Sequence, residues 1–171
     1  MVPITNLYPE GLPAAMTYIA TPLYAFIPFS YPMFHIIFMI LGYIIVLFGL
    51  LMIFRALSSF GVDYMAVIYL YFPEESQVKN DEIYSVLRHP TYTAAIMIAV
   101  GGAIMNVTLY SFIFLLIYVI GFCIHIFLVE EKELITRFGA SFKEYRKKVP
   151  AILIKPRNLP TLCRFLFGKM E

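Results

Sequence analysis

Charge is what this sequence has least of, and its scarcity is uneven: 14% of the 171 residues are charged, and none of the 13 lysines and arginines precedes Arg55. Two long tracts, Gly11 to Phe54 and Pro90 to Val129, carry no charged side chain at all. Together with 61% hydrophobic and 17% aromatic residues, this argues against an ordinary soluble domain and predicts an all-α integral membrane protein. A net charge of +2, with no basic run interleaved with stacking aromatics, argues against nucleic acid as a partner. Cysteine is also sparse. Cys123 lies in an apolar run and Cys163 in the basic tail, so a disulfide between different membrane depths is not expected, and neither spacing suggests a metal site. The N-terminus "MVPITNLYPEG" lacks the positive region of a cleavable signal peptide, and prolines interrupt the apolar stretch after it, so the first hydrophobic segment is expected to be retained.

A spanning helix needs roughly 20 mostly apolar residues, which makes each charge-free tract long enough for a helical hairpin. Breaks are expected at the prolines of Pro28 to Pro32 and at Gly101 to Thr108, giving four spans at about 12–29, 33–57, 91–106 and 109–130. One membrane domain follows: a first hairpin over 1–57, a connection over 58–90, a second hairpin over 91–130 and an amphipathic segment over 131–171. Every basic residue then falls on one face, which the positive-inside rule assigns to the cytoplasm together with both termini. The sequon at Asn106 would lie in an outward turn too close to the membrane to be used.

Within the connection, Tyr64 to Phe72 is too short to cross and is expected as an interfacial strand or re-entrant piece. After the last span, "EEKELITRFGASFKEYRKKVP" predicts a helix stopped by Gly139 and a second one from Ser141, which has capping-box spacing to Glu144. Leu134, Ile135, Phe138, Phe142, Tyr145 and Val149 form its apolar stripe, lying on the membrane or packing over a site. The tail "KPRNLPTLCRFLFGKME" mixes basic and apolar residues in a way that suits an interface.

Chemistry is concentrated where "SVLRHPTYTA" enters the second apolar tract. Pro90 suits the first turn of a helix, whose N-terminal N–H groups, with Arg88 and a protonated His89, favour an anion. The hairpin returns Glu130 and Glu131 to the same face, so a site for a group carrying both charges could lie between. The plainer reading is a positive-inside stop facing a solvated helix end. Two carboxylates at a helix C-terminus oppose its dipole, however, and call for Arg88 or a bound cation as compensation. Tyr92 reads as a belt tyrosine or a pocket wall, His125 as a hydrogen-bonded interior histidine and His35 as structural.

"IYSVLRHPTYTA", followed by "EEKELITRFGASFKEYRKKVP", resembles the isoprenylcysteine carboxyl methyltransferase family and the related phospholipid methyltransferases. The resemblance covers about 81–150, weaker back to Arg55, and is carried by Tyr84, Arg88-His89-Pro90, Tyr92, Glu130-Glu131, Phe138-Gly139, Tyr145 and Val149-Pro150. Two departures stand out: such proteins usually have glycine where Glu82 stands, and often where Ala94 stands.

The resemblance implies S-adenosylmethionine as methyl donor, held at the cytoplasmic face by the last hairpin and the C-terminal segment. A lipid or lipid-modified substrate would enter from the bilayer. It further implies His89 and Tyr92 in the donor pocket, Tyr84 on its rim, and Glu131 on the donor's amino or ribose groups. Arg88 would hold the substrate's anionic head or the donor carboxylate, and Glu130 would orient the acceptor or fix Arg88. The expected reaction is methyl transfer to an isoprenylcysteine-type carboxylate. The alternatives are a phospholipid amine N-methyltransferase, a membrane reductase using a nicotinamide dinucleotide, and a non-catalytic scaffold.

Overall fold

Away from water, a chain can satisfy its backbone N–H and C=O groups within one segment only as a helix, and the charge-free tracts behave accordingly. The computed structural model describes residues 31–60, 78, 80 and 82–168, and every regular element among them is helical. Helix α1 spans Tyr31–Phe60, α2 Pro90–Met105 and α3 Leu109–His125. A five-residue π-helical turn, Ile126–Glu130, joins α3 to α4, Glu131–Lys148. Helix α5 covers Leu159–Phe167. The expected first span at 12–29 and the piece from Tyr64 to Phe72 lie outside the described residues.

Two helical stretches are long and apolar enough to cross a membrane, Met33–Ser59 and Leu109–Lys148, the latter through its apolar α3 portion; Pro90–Met105 is apolar but shorter. None of the α3 residues is buried within the protein, and Tyr110, Leu116 and Ile117 are each at least 60% exposed. Apolar surface on this scale belongs against lipid. The protein is a membrane protein.

The described residues fall into two compact units, one holding 31–47 with Met97–Ile120, the other Phe48–Ile96 with 121–168. In the first, α1 and α2 approach backbone to backbone. A Cβ on Gly42 would stand 2.6 Å from the Gly101 carbonyl oxygen, and one on Gly101 would stand 2.7 Å from that of Gly42. Small residues permit such close approach between apolar helices, where packing rather than expulsion of water drives association. Between α2 and α3 the chain turns at Asn106 to Thr108, inside the expected break. Thr108 caps α3: its Oγ1 accepts the Ser111 N–H at 3.0 Å.

The second unit is stitched by its C-terminal segment. Arg88 and His89 donate their backbone N–H groups to the carbonyls of Pro150 and Ala151 at 3.0 and 3.1 Å, and the Thr93 hydroxyl donates to that of Ile152 at 3.0 Å. Arg55 donates to the carbonyls of Leu166 and Gly168 at 3.2 and 2.8 Å, satisfying groups at the end of α5 that helix geometry leaves orphaned. The expected stop at Gly139 is present as a kink with φ 56° and ψ −123°, after which the helix resumes at once. The predicted stripe packs as one cluster: Phe142, Tyr145 and Val149 are buried against Val78, Leu134, Ile135 and Phe138.

Both departures from the familiar motif have a structural counterpart. Glu82 opens a short 3-10 turn, Glu82–Ser85, at φ 47°, the left-handed region where a side chain is disfavoured and glycine is not. Ala94 is fully buried, so its methyl fills space that a glycine would leave open.

Substituting Gly42 with alanine should lower stability by about 1–3 kcal/mol, because the added methyl meets a backbone carbonyl that cannot swing away. Gly102→Ala, where the added methyl meets open space, should be neutral or mildly stabilising. Thermal unfolding of the two variants in detergent checks the contrast.

Candidate functional site

Helix α2 begins at Pro90, as the missing N–H of proline favours, and His89 accepts the first helical hydrogen bond, from the Thr93 N–H at 3.1 Å. The side chains of Arg88 and His89 therefore project from a rigid helix start. Their own backbone donors are taken by the 150–152 strap, which removes two of the N–H groups expected to attract an anion here.

Glu130 and Glu131 do not sit at a helix C-terminus, the setting in which their repulsion by the dipole is expected. The chain runs on through the π-helical turn into α4, so that Glu130 ends the turn and Glu131 opens α4 with no exposed helix end at either residue. The π turn itself is a form that often marks functional positions. Adjacent residues on a helix point in different directions, yet both carboxylates reach His89 because its ring stands between them. Nδ1 lies 3.3 Å from Glu130 Oε1, and Nε2 lies 3.5 Å from Glu131 Oε1.

Glu131 is the centre of charge. Its Oε1 is 2.6 Å from an Arg88 terminal nitrogen, and its Oε2 is 3.1 Å from Arg146 Nε. The Glu131 side chain is 1% exposed and that of Arg88 7%. Burial lowers the Arg88 pKa from its ordinary value and the Glu131 charge opposes that shift, so the guanidinium's buried charge rests on its partner. Glu130 has more room, at 27% exposure, and lies within hydrogen-bonding reach of Tyr92. The Tyr92 ring packs edge-on against His89 at 5.9 Å and Phe122 at 5.2 Å, forming an aromatic wall beside the ions.

Five of the six residues expected from the sequence thus come together: Arg88, His89, Tyr92, Glu130 and Glu131. Tyr84 joins by its main chain, its carbonyl accepting the Tyr145 hydroxyl at 2.6 Å. Of the two carboxylates it is Glu131, not Glu130, that fixes Arg88, and Glu130 is the more exposed. His125, expected in the interior, is exposed, with its ring 6.0 Å from that of Tyr92, because α3 turns no buried face inward. Sequence reasoning missed Arg146. The available signal was the charge excess of two carboxylates over one arginine; what was not available was which of Arg146, Lys147 and Lys148 turns toward them.

Several buried polar atoms here form no hydrogen bond with the described residues, among them Arg88 Nε and Glu130 Oε2. Such atoms are costly unless a ligand or water meets them. An unbonded carboxylate oxygen and an unbonded guanidinium nitrogen suit a group with both signs of charge.

Long, lipid-exposed apolar helices with charged groups clustered at their ends define an integral membrane protein. The family model for phospholipid methyltransferases matches residues 37–141, and the chain belongs to that family, which includes the isoprenylcysteine carboxyl methyltransferase-like membrane enzymes. No curated protein and no solved structure matches it. The match reaches back into α1, beyond the motifs around Arg88. The protein is therefore a membrane methyltransferase of the kind that acts on lipid-related substrates, and the reductase and scaffold alternatives fall away. Methyltransferases of this family typically use S-adenosylmethionine.

Glu131→Gln should destabilise the protein by about 3–5 kcal/mol, the cost of leaving a buried arginine unpaired. Glu133→Gln, two residues on and solvent-exposed, should unfold like the wild type. Chemical denaturation in detergent, followed by far-UV circular dichroism, measures both.

Proposed function

We propose that the Arg88, His89, Tyr92, Glu130 and Glu131 cluster binds S-adenosylmethionine at the cytoplasmic face and directs its methyl group to a lipid-linked acceptor, an isoprenylcysteine-type carboxylate. The observation that carries this reading is the pair of carboxylates divided by one buried histidine and balanced by a buried arginine at the start of an apolar helix. When bound, the donor supplies an electrophilic methyl on a cationic sulfur. Glu130, the more open carboxylate, offers that cation a counter-charge. His89 fixes the distance between the two carboxylates, and Tyr92 with Phe122 excludes water from one side. Glu131 keeps Arg88 in place. Tyr84 borders the site through its backbone link to Tyr145.

No nucleophile on the protein is needed, because positioning two reactants and excluding water can supply roughly 7–11 kcal/mol. A carboxylate acceptor arrives ready to react, which suits a site whose ionisable groups are already paired. The second reading is a phospholipid amine, whose nitrogen must lose a proton before attack. The His89 and Glu130 pair, 3.3 Å apart, is where such a proton could be received.

Both readings require donor binding. Calorimetry on the detergent-purified protein should show S-adenosylhomocysteine binding, weakened in Glu130→Gln. Methyl transfer from labelled donor into lipid extracts should fall about 10²-fold in the same variant, as expected for a displaced reactive group. Label released by mild base identifies a methyl ester, and label that resists base identifies an N-methyl group. Absence of S-adenosylhomocysteine binding by the folded wild type would sink the proposal.

A further inference from the structure

Arg88 is the residue expected to greet an anion, yet its side chain is 7% exposed and one terminal nitrogen is held by Glu131 at 2.6 Å. His89 is as deeply buried, at 3%. The same Glu131 carboxylate also holds Arg146, through Nε at 3.1 Å, and there the side chain is 47% exposed. That contact uses only the inner nitrogen of the guanidinium. The two terminal nitrogens, the pair that chelates carboxylate or phosphate in a fork geometry, make no ion pair with the described residues. Lys148, two positions on, is spent on Glu144 at 2.6 Å, on the exposed side of α4.

Charge points the same way. Arg88 and Arg146 together offset Glu130 and Glu131, so the cluster is balanced within itself, and Arg146 is its exposed cationic end. The position of Arg146 is also well fixed. Tyr145, the preceding residue, is buried and bonded to the Tyr84 carbonyl, and Val149 and the 150–152 strap anchor the far side to the start of α2. An arginine held at Nε, framed by buried neighbours and open at its fork, is preorganised for an oxyanion.

We propose that Arg146 is the oxyanion-binding residue at the mouth of the site, engaging a carboxylate or phosphate through its terminal nitrogens while its Nε stays on Glu131. This deepens the reading above and rests on it. The oxyanion has two possible sources, the carboxylate of the methyl donor or the anionic head of the lipid acceptor.

The test uses the full chain in nanodiscs, as wild type, Arg146→Gln and Arg146→Lys. Calorimetry is run with S-adenosylhomocysteine, which carries the amino-acid carboxylate, and with methylthioadenosine, which lacks it. If the donor is the source, Arg146→Gln weakens S-adenosylhomocysteine about 10- to 100-fold and leaves methylthioadenosine unchanged, the size of one lost charge-assisted hydrogen-bond pair. If the acceptor is the source, both adenosine ligands bind as in wild type. The amount of total lipid extract needed for half-maximal methyl transfer then rises at least about tenfold, with the maximal rate held within about twofold. In either case Arg146→Lys, which keeps the charge but loses the fork, falls between wild type and Arg146→Gln.

Equal weakening of both adenosine ligands would mean that Arg146 merely supports Glu131, and would overturn the proposal. So would unchanged binding of both together with an unchanged lipid dependence, leaving the methyltransferase reading intact. Failure of the wild type to bind S-adenosylhomocysteine overturns both.

Discussion

A carboxylate with no access to solvent must be surrounded by donors and cations, and Glu131 meets that demand with three side chains drawn from distant parts of the sequence. Arg88 and His89 come from the start of α2 and Arg146 from the second half of α4. The local architecture serves this convergence. The π-helical turn turns α3 into α4 without a break, the kink at Gly139 redirects α4, and the strap at 150–152 ties that redirected end to the backbone of Arg88 and His89. Taking out Glu131 would leave Arg88 buried and uncompensated, so these two stand or fall together.

That same arrangement separates two duties that adjacent glutamates might be thought to share. Glu131 is enclosed and organises the cations; Glu130 is partly exposed and pairs with His89. The division arises from one residue of helical offset, with His89 lodged between. Membrane enzymes face a particular difficulty here, since ions next to hydrocarbon are expensive and must be neutralised before any chemistry is attempted. Anchoring Arg55 to the end of α5 extends the logic, with a cation at the end of an apolar helix satisfying the carbonyls of an amphipathic one.

Much of this was legible in the sequence because apolar length and charge placement are strong signals. The breaks near Gly101 to Thr108 and at Gly139, the helix start at Pro90 and the packed stripe from Leu134 to Val149 follow from periodicity, proline and glycine chemistry. The meeting of Arg88 and His89 with Glu130 and Glu131 followed from the hairpin. Contacts made by main chain over long separations were not legible: the bonds of Arg88 and His89 to Pro150 and Ala151 leave no side-chain signature. The π turn was equally hidden. Without it the glutamates look like the end of α3, opposed by its dipole. Arg146 was concealed within a basic run that reads as a membrane-orientation signal, and the left-handed backbone at Glu82, with φ 47°, has no signature in the sequence beyond the glycine usual there.

Hydrogen–deuterium exchange of the nanodisc-embedded protein, with and without S-adenosylhomocysteine, tests the central claim most directly. A donor seated among Arg88, His89 and Glu130 predicts added protection at 84–93, 126–131 and 145–152, with the remainder of α1 and α3 unchanged. Saturating ligand that protects none of those three stretches, or protects a different region instead, would contradict it.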